Sequence, residues 1–397
     1  MSRIIYWFRN DLRLLDNEGF QTAAATASEI IPVYVFDPRQ FARTKFGFRR
    51  AGAARAHFLL ETVAALRTSL RERGGDLLIR IGEPEKIIAE LAENFGVEYV
   101  FTSKEIAPDE TLVESSLSKN LKVNNVDIRL FWMNTVVGAA QLPFPIAKLP
   151  DQFETFFSLV SERVTLGPLF PVPNEVNLPI EYTAGVLPSL PMLGIDPNEI
   201  AGATSSLLKP AGEALAALKL SDFAAHNGLP QQEVSADPLM QAQLSQWISI
   251  GCLSPRLILS QLEGKEAYQS TLRCMLKRDY HHWTLLRYGS RLFKPSGIDH
   301  NMARLWNNDL EAFDAWRNAA TENPEVNLVM HKLNQTGYLT FEERNLAAGF
   351  LANDLNINWT WGAMYFESLL LDYNVSNSWC NWNRVAGVAG NVHVKGY

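Results

Sequence analysis

Cysteine is scarce. The 397 residues hold three, Cys252, Cys274 and Cys380, spaced too widely for a disulfide framework or a zinc signature. No metal site is expected, and the thiols read as reduced. Long apolar runs are also missing: no stretch reaches the roughly 18 residues that a membrane helix needs. The opening "MSRIIYWFRNDLR" places charges where a signal peptide requires an apolar core. A cytoplasmic location is the default that follows, with a monomer as the expected state. Positive charge is in deficit, and a formal net charge of −7 argues against general polyanion binding. A Gly-x-Gly-x-x-Gly turn after the first strand is absent as well, which argues against an NAD-type site.

What is present divides the chain. At this length one compact core gives way to two domains, or to a large one with an appendage. Residues 1–132 alternate short β-branched or aromatic runs with amphipathic stretches. The runs are "IIYWF" (4–8), "EIIPVYVF" (29–36), "DLLIRI" (76–81), "VEYVFTS" (97–103) and "DIRLFW" (127–132). The clearest helical stretches are 51–75 and 83–96. Near-continuous apolar strands between helices predict a parallel sheet covered on both faces, a doubly wound, Rossmann-like α/β domain. Residues 133–199 hold ten prolines, which exclude long helices and central strands and read as an interdomain linker. From 200 to 397 the strand pattern vanishes and the text reads as helix throughout. Eight of the ten tryptophans fall there, as an aromatic-lined cavity would require, although core packing is the commoner role of tryptophan.

The basic residues are unevenly placed. Residues 265–305 carry eight Lys or Arg against three acids, a stripe that could face phosphate or equally a solvated helix face.

Six segments share a further property. "YWFRNDLRLLDN" (6–17), "RAGAARAHFLLETV" (50–63), "WISIGCLSPR" (247–256), "KRDYHHWTLLRYGSRLF" (277–293), "LNQTGYL" (333–339) and "INWTWGAMYFESLLLDYNVSNSWCNW" (357–382) resemble, in order, the photolyase/cryptochrome family, and its DASH branch most closely. The resemblance implies an amino-terminal antenna domain and a helical FAD domain. It implies blue-light photoreduction of FAD through a tryptophan chain, with single-stranded or damaged DNA as partner for repair, or a signalling partner instead. It also implies a folate-type antenna such as methenyltetrahydrofolate.

Residue by residue, the resemblance assigns electron transfer to Trp382, Trp359 and Trp306, from the flavin outward. Arg344 and Asp372 match the ion pair at the flavin ring. Ser378 stands where the family faces flavin N5 with asparagine, and a shift of one residue would offer Asn377. Asn374 belongs to the same cofactor-binding segment. Glu105 matches the acid that holds the antenna pterin. Lys277 and Arg278 fall in the nucleic-acid-facing segment.

Several positions depart from the family pattern. The phosphate-binding stretch reads "MQAQLSQWI" (240–248), with Gln241 and Ala242 in place of hydroxyl donors and Ser245 retained. An upstream tyrosine aligns near Asp222, whose charge would oppose a pyrophosphate. At the lesion-contact positions stand Cys274 for glutamate, Lys277 for tryptophan, Phe341 for asparagine and Glu342 for arginine. Recognition of a flipped base needs edge hydrogen bonds and stacking faces, so these changes argue against efficient dimer repair. They leave a signalling relative, or a flavin-free interaction protein, as alternatives.

Overall fold

The computed structural model describes residues 2–202, 211–226, 237–241 and 243–389, apart from the side chains of 200–202 and 241. Five strands form one parallel sheet: β1 (Arg3–Phe8), β2 (Glu29–Phe36), β3 (Leu78–Ile81), β4 (Tyr99–Ser103) and β5 (Asp127–Phe131). Their order is β3-β2-β1-β4-β5. Connections α1 (Glu18–Thr26), α2 (Ala53–Arg71), α3 (Pro84–Phe95) and α4 (Pro108–Lys122) complete the doubly wound layer. Alternate residues of β1 serve two cores. Ile5 and Trp7 pack under α3 and α4, while Ile4, Tyr6 and Phe8 face the other side, where the core continues into the helical half.

The proline-rich connector is not slack. It contains α5 (Phe153–Val160), and its backbone covers the sheet margin, where Ile79 N donates to Ala184 O at 2.7 Å. That contact hides an edge strand that would otherwise be open to pairing. The helical half contributes α6 (Glu213–Ala225), α7 (Pro255–Leu262), α8 (Tyr268–Tyr288), α9 (Leu310–Arg317), α10 (Pro324–Thr336), α11 (Phe341–Gly349), α12 (Trp359–Leu369) and α13 (Val375–Val385).

The segment "RNDLRLLDN", which follows β1 where a nucleotide-binding turn would lie, is a clasp between the two halves. Arg13, 1% exposed, donates to the carbonyls of Gly251 (3.0 Å), Asp16 and Met133. Glu213 accepts from the amides of Leu14 and Leu15, each at 2.8 Å. Gly251 has φ +79, and a Cβ there would sit 2.0 Å from Asn10 O. Only glycine allows that approach at that backbone angle.

Asp279 ties α8 to the connector. Its two oxygens accept from Val136 N (3.1 Å) and Val137 N (3.0 Å). Burial pushes the carboxyl up to about 7, against the pull of the two amides and Arg278. Asp279→Ala leaves two buried N–H groups without acceptors, so a loss of about 2–5 kcal/mol is expected in denaturant titration. The pH dependence supplies a second readout. A carboxyl raised from about 4 contributes most below that pH and loses its contribution as pH rises through about 7. The variant should lack this slope, and an unchanged slope would place its origin elsewhere.

Candidate functional site

A cavity of about 950 Å³ opens where α8, α11 and α13 converge. The helical period brings Cys274, Lys277, Arg278 and His281 of α8 to its wall. Across from them stand Phe341, Arg344 and Asn345 of α11, with Asn377, Ser378, Asn381 and Trp382 of α13. Asp372 and Asn374 close it from the turn before α13, and Ser245 lines it from the segment before α7.

Arg344 and Asp372 form a bidentate pair, with Nη2 at 2.9 and 2.8 Å from the two carboxylate oxygens. The carboxylate side chain is 4% exposed, and the guanidinium also donates to Leu339 O at 3.0 and 2.9 Å. An ion pair so far out of water seldom repays its desolvation as stability alone. Asn374 has a structural duty as the N-cap of α13, where its Oδ1 accepts from Asn377 N (3.1 Å) and Ser376 Oγ (2.8 Å). Asn377 is engaged too, because His281 Nδ1 lies 3.0 Å from its Oδ1. Burial, reinforced by Lys277, pushes His281 down to about 3 and keeps it neutral. The half-buried Ser378 hydroxyl has no hydrogen-bonded partner described and borders the cavity.

The tryptophans lie on the α12–α13 contact. A Cβ added at Gly362 would meet Trp382 Cη2 at 2.4 Å, so the Trp382 ring rests on that glycine. Trp359 is three residues before Gly362 on the same helix and therefore on the same face. It meets Trp379 of α13 edge to face, with ring centroids 5.6 Å apart. Trp359 and Trp306 donate their indole N–H groups to one acceptor, Pro295 O, each at 3.0 Å. Trp382 and Trp359 are buried, whereas Trp306 reaches the surface.

Other expectations come out differently in detail. Lys277 is 8% exposed and lines the cavity beside Arg278, so neither belongs to an outer basic face. Elsewhere in that charge stripe, Arg273 pairs with Glu154 and Arg287 with Asp151, acids supplied by the connector. Asp222 is exposed on α6 and is not part of the cavity lining, so its charge does not oppose a phosphate there. The Gln241 side chain and Ala242 lie outside the described residues.

A second cavity, of about 2340 Å³, lies between the halves. Glu105 lines it and accepts from Asn10 and Asn134 amides, each at 3.3 Å. Burial pushes its carboxyl up to about 7. Arg278, Asn374 and Asn377 border both cavities and form the partition between them.

The parallel sheet joined to a helical half with a polar, tryptophan-backed cavity defines a class, and comparison with known proteins gives it a family. Residues 4–174 match the DNA photolyase family, and residues 271–395 match the FAD binding domain of DNA photolyase. The chain belongs to the photolyase/cryptochrome family. Within it, the similarity is to the DASH cryptochromes. The chain is 34% identical to the cryptochrome DASH of Gloeobacter violaceus, over 98% of this chain and 80% of that one. It is 33% identical to the cryptochrome DASH of Synechocystis sp., over 98% and 82%. The crystal structure of a Synechocystis cryptochrome superposes with a TM-score of 0.91 at 31% identity, covering 100% of this chain and 84% of that one.

The cavity suits the FAD that this domain binds. It offers a fixed ion pair, the cation Arg278, the Ser245 hydroxyl, and a buried Asn381 Oδ1 that no described group satisfies. No described helix is long and apolar enough to cross a membrane. Two neighbours of the site, Arg384 and Asn345, went unmarked in the sequence. Arg384 Nη2 donates to Asn345 Oδ1 at 2.5 Å, a pairing between α11 and α13 that sequence spacing does not signal.

Proposed function

We propose that this protein is a cytoplasmic blue-light flavoprotein whose Trp382, Trp359 and Trp306 relay electrons inward, and that its response to light is regulatory rather than repair of pyrimidine dimers. The observation that carries it is the placement of the three indoles: Trp382 rests on Gly362 at the cavity wall, Trp359 lies one turn away on the helix of Gly362, and Trp359 and Trp306 share Pro295 O. FAD, when bound, supplies the light-absorbing group that takes up an electron. The residues do the rest. Arg344 and Asp372 would hold the cofactor's polar groups, and Trp382 would keep water from the cavity wall it covers. Pro295 O stabilises positive charge on the outer indoles, since hydrogen bonds to a charged group are stronger. Glu105, protonated near neutral pH and able to donate, is the residue we assign to a folate-type antenna in the second cavity. Single-stranded or damaged DNA remains the nucleic acid to test. Cys274, Lys277 and Phe341 offer a dimer none of the carboxylate, indole and amide that would hold it, and Glu342 sets a negative charge where an arginine would meet phosphate.

The test uses the flavin-loaded protein. Blue light with an external reductant should bleach the oxidised flavin spectrum, and illumination with a dimer-containing single strand should restore no thymine absorbance. Recovery of that absorbance would establish repair and overturn the regulatory reading.

Arg304 gives a finer check. Its guanidinium carbon lies 4.3 Å from the Trp306 ring centre, so a positive charge on that indole is opposed by about 1 kcal/mol after solvent screening. Arg304→Gln should raise the population of oxidised Trp306 about fivefold, read by transient absorption. No change would mean that positive charge does not reach Trp306.

A further inference from the structure

The segment that carries Trp306 to the surface has apolar company there. Met302 is 68% exposed and Leu305 81%, so both side chains project into solvent. Slack backbone is not the reason. Asn356 Nδ2 donates to Leu305 O at 3.2 Å, Asn307 N to Asn356 O at 2.7 Å, and Asn358 N to Asn307 O at 3.2 Å. Arg304 is anchored too, its Nη2 donating to Asn353 Oδ1 at 2.9 Å and to Ala352 O at 3.2 Å. Large apolar side chains held out in water add nothing to this chain's own core, and beside a functional group they mark a contact surface. The charges nearby cancel. Across residues 291–309 and 352–356, the stretches that bond Trp306 and Arg304, the cations Arg291, Lys294 and Arg304 are offset by Asp299, Asp309 and Asp354. Such a surface selects no strongly charged partner.

In the proposed relay, each electron delivered inward leaves Trp306 one electron short, and the replacement comes from outside the chain. We infer that the Met302–Leu305–Trp306 surface docks a small one-electron carrier protein, one whose redox centre lies beneath an apolar face of low charge. The size of the patch agrees. Two side chains and a ring edge fall well short of the roughly 800 Å² per partner that a stable complex buries, and suit the smaller encounters of electron transfer. The reduced carrier gives one electron to oxidised Trp306, which returns to the neutral indole, and the carrier leaves oxidised. No bond forms or breaks and no proton moves. Met302 and Leu305 keep water from between the two centres and set their separation.

The inference rests on the relay reading, and the experiment separates the two. The probe is azurin, a blue-copper protein with an apolar face over its metal, in the Cu(I) form. In the dark, the flavin-loaded protein should broaden the NMR resonances of that face, to the same extent at low and high salt. After a flash, the decay rate of oxidised Trp306 should rise with azurin and then level off. With ferrocyanide, a small charged donor, it should rise linearly. Leu305→Ser and Met302→Ser change exposed positions and leave the core intact. Each should raise the azurin concentration at half-saturation by about fivefold or more, with the yield of oxidised Trp306 unchanged. A linear dependence on azurin, or variants that saturate like the wild type, overturns the proposal. A dimer in sedimentation that Leu305→Ser dissociates also overturns it, by giving the surface to a second copy. So does docking that is seen only when the chain is cut after Ala389, since residues 390–397 are then the occupant. Azurin broadening that Leu305→Ser removes, with no oxidised Trp306 after the flash, would overturn the relay alone.

Discussion

Trp382→Phe is expected to slow light-driven reduction of bound FAD by at least tenfold, with flavin content nearly unchanged. Trp382 is the indole that lines the cavity, 3% exposed, and it is braced by Phe366 (5.1 Å) and Trp316 (6.4 Å) as well as by Gly362. A phenyl ring fills most of that space but gives up an electron far less readily than an indole. The substitution therefore separates redox from packing. Its packing cost should stay within about 1–3 kcal/mol because the bulk is largely conserved. Melting temperature and the rate of flavin bleaching give the two readouts. A stable variant that bleaches at the wild-type rate would remove Trp382 from the electron path.

Arg344→Ala should have the largest effect on cofactor retention. It strips both Asp372 oxygens of their Arg344 donor and leaves a carboxylate at 4% exposure uncompensated, a change that costs about 3–5 kcal/mol. The protein should purify with little flavin, and added FAD should raise its melting temperature less than it raises that of the wild type, because stabilisation by a ligand follows its affinity. Asp372→Asn should be milder, since Arg344 keeps its two bonds to Leu339 O. Full flavin occupancy in Arg344→Ala would show that the pair serves only the packing of α11 against the turn before α13.

Much of the fold was legible because it is written in local periods. All five strands fall within a residue or two of the apolar runs, and α2 and α3 match the amphipathic stretches at 51–75 and 83–96. Helices α1 and α4 were not marked. The first, "EGFQTAAAT", is short and alanine-rich; the second mixes polar residues over most of its surface, with three buried side chains in fifteen residues. Motifs singled out Arg344, Asp372 and Trp382, and the structure places these three on one cavity. The candidate site was opaque where meaning depends on a partner far along the chain. Asn374 reads as a ligand contact in the sequence; it lines the cavity and also caps α13, a duty that shows only once the helix start is in place. The 265–305 charge count missed that Lys277 is buried, because burial follows the packing of α8 between α11 and α13 and not the composition of α8 itself. Arg384 carried no signal, since its partner Asn345 lies on another helix.

The carbonyl of Pro295 has a consequence of its own. A positive charge on Trp359 strengthens that indole's bond to the oxygen, and the same charge moved to Trp306 strengthens a bond of equal length to the same atom. The oxygen's help is therefore the same before and after the hop and drops out of the driving force. What remains is a contest at the surface. Water favours charge on the half-exposed Trp306 over the fully buried Trp359, while the guanidinium of Arg304 presses the other way. In the proposed relay the outermost step would thus be set by solvent and one cation, so salt and the character of residue 304 would tune how long the charge stays outside while the buried indoles keep their geometry.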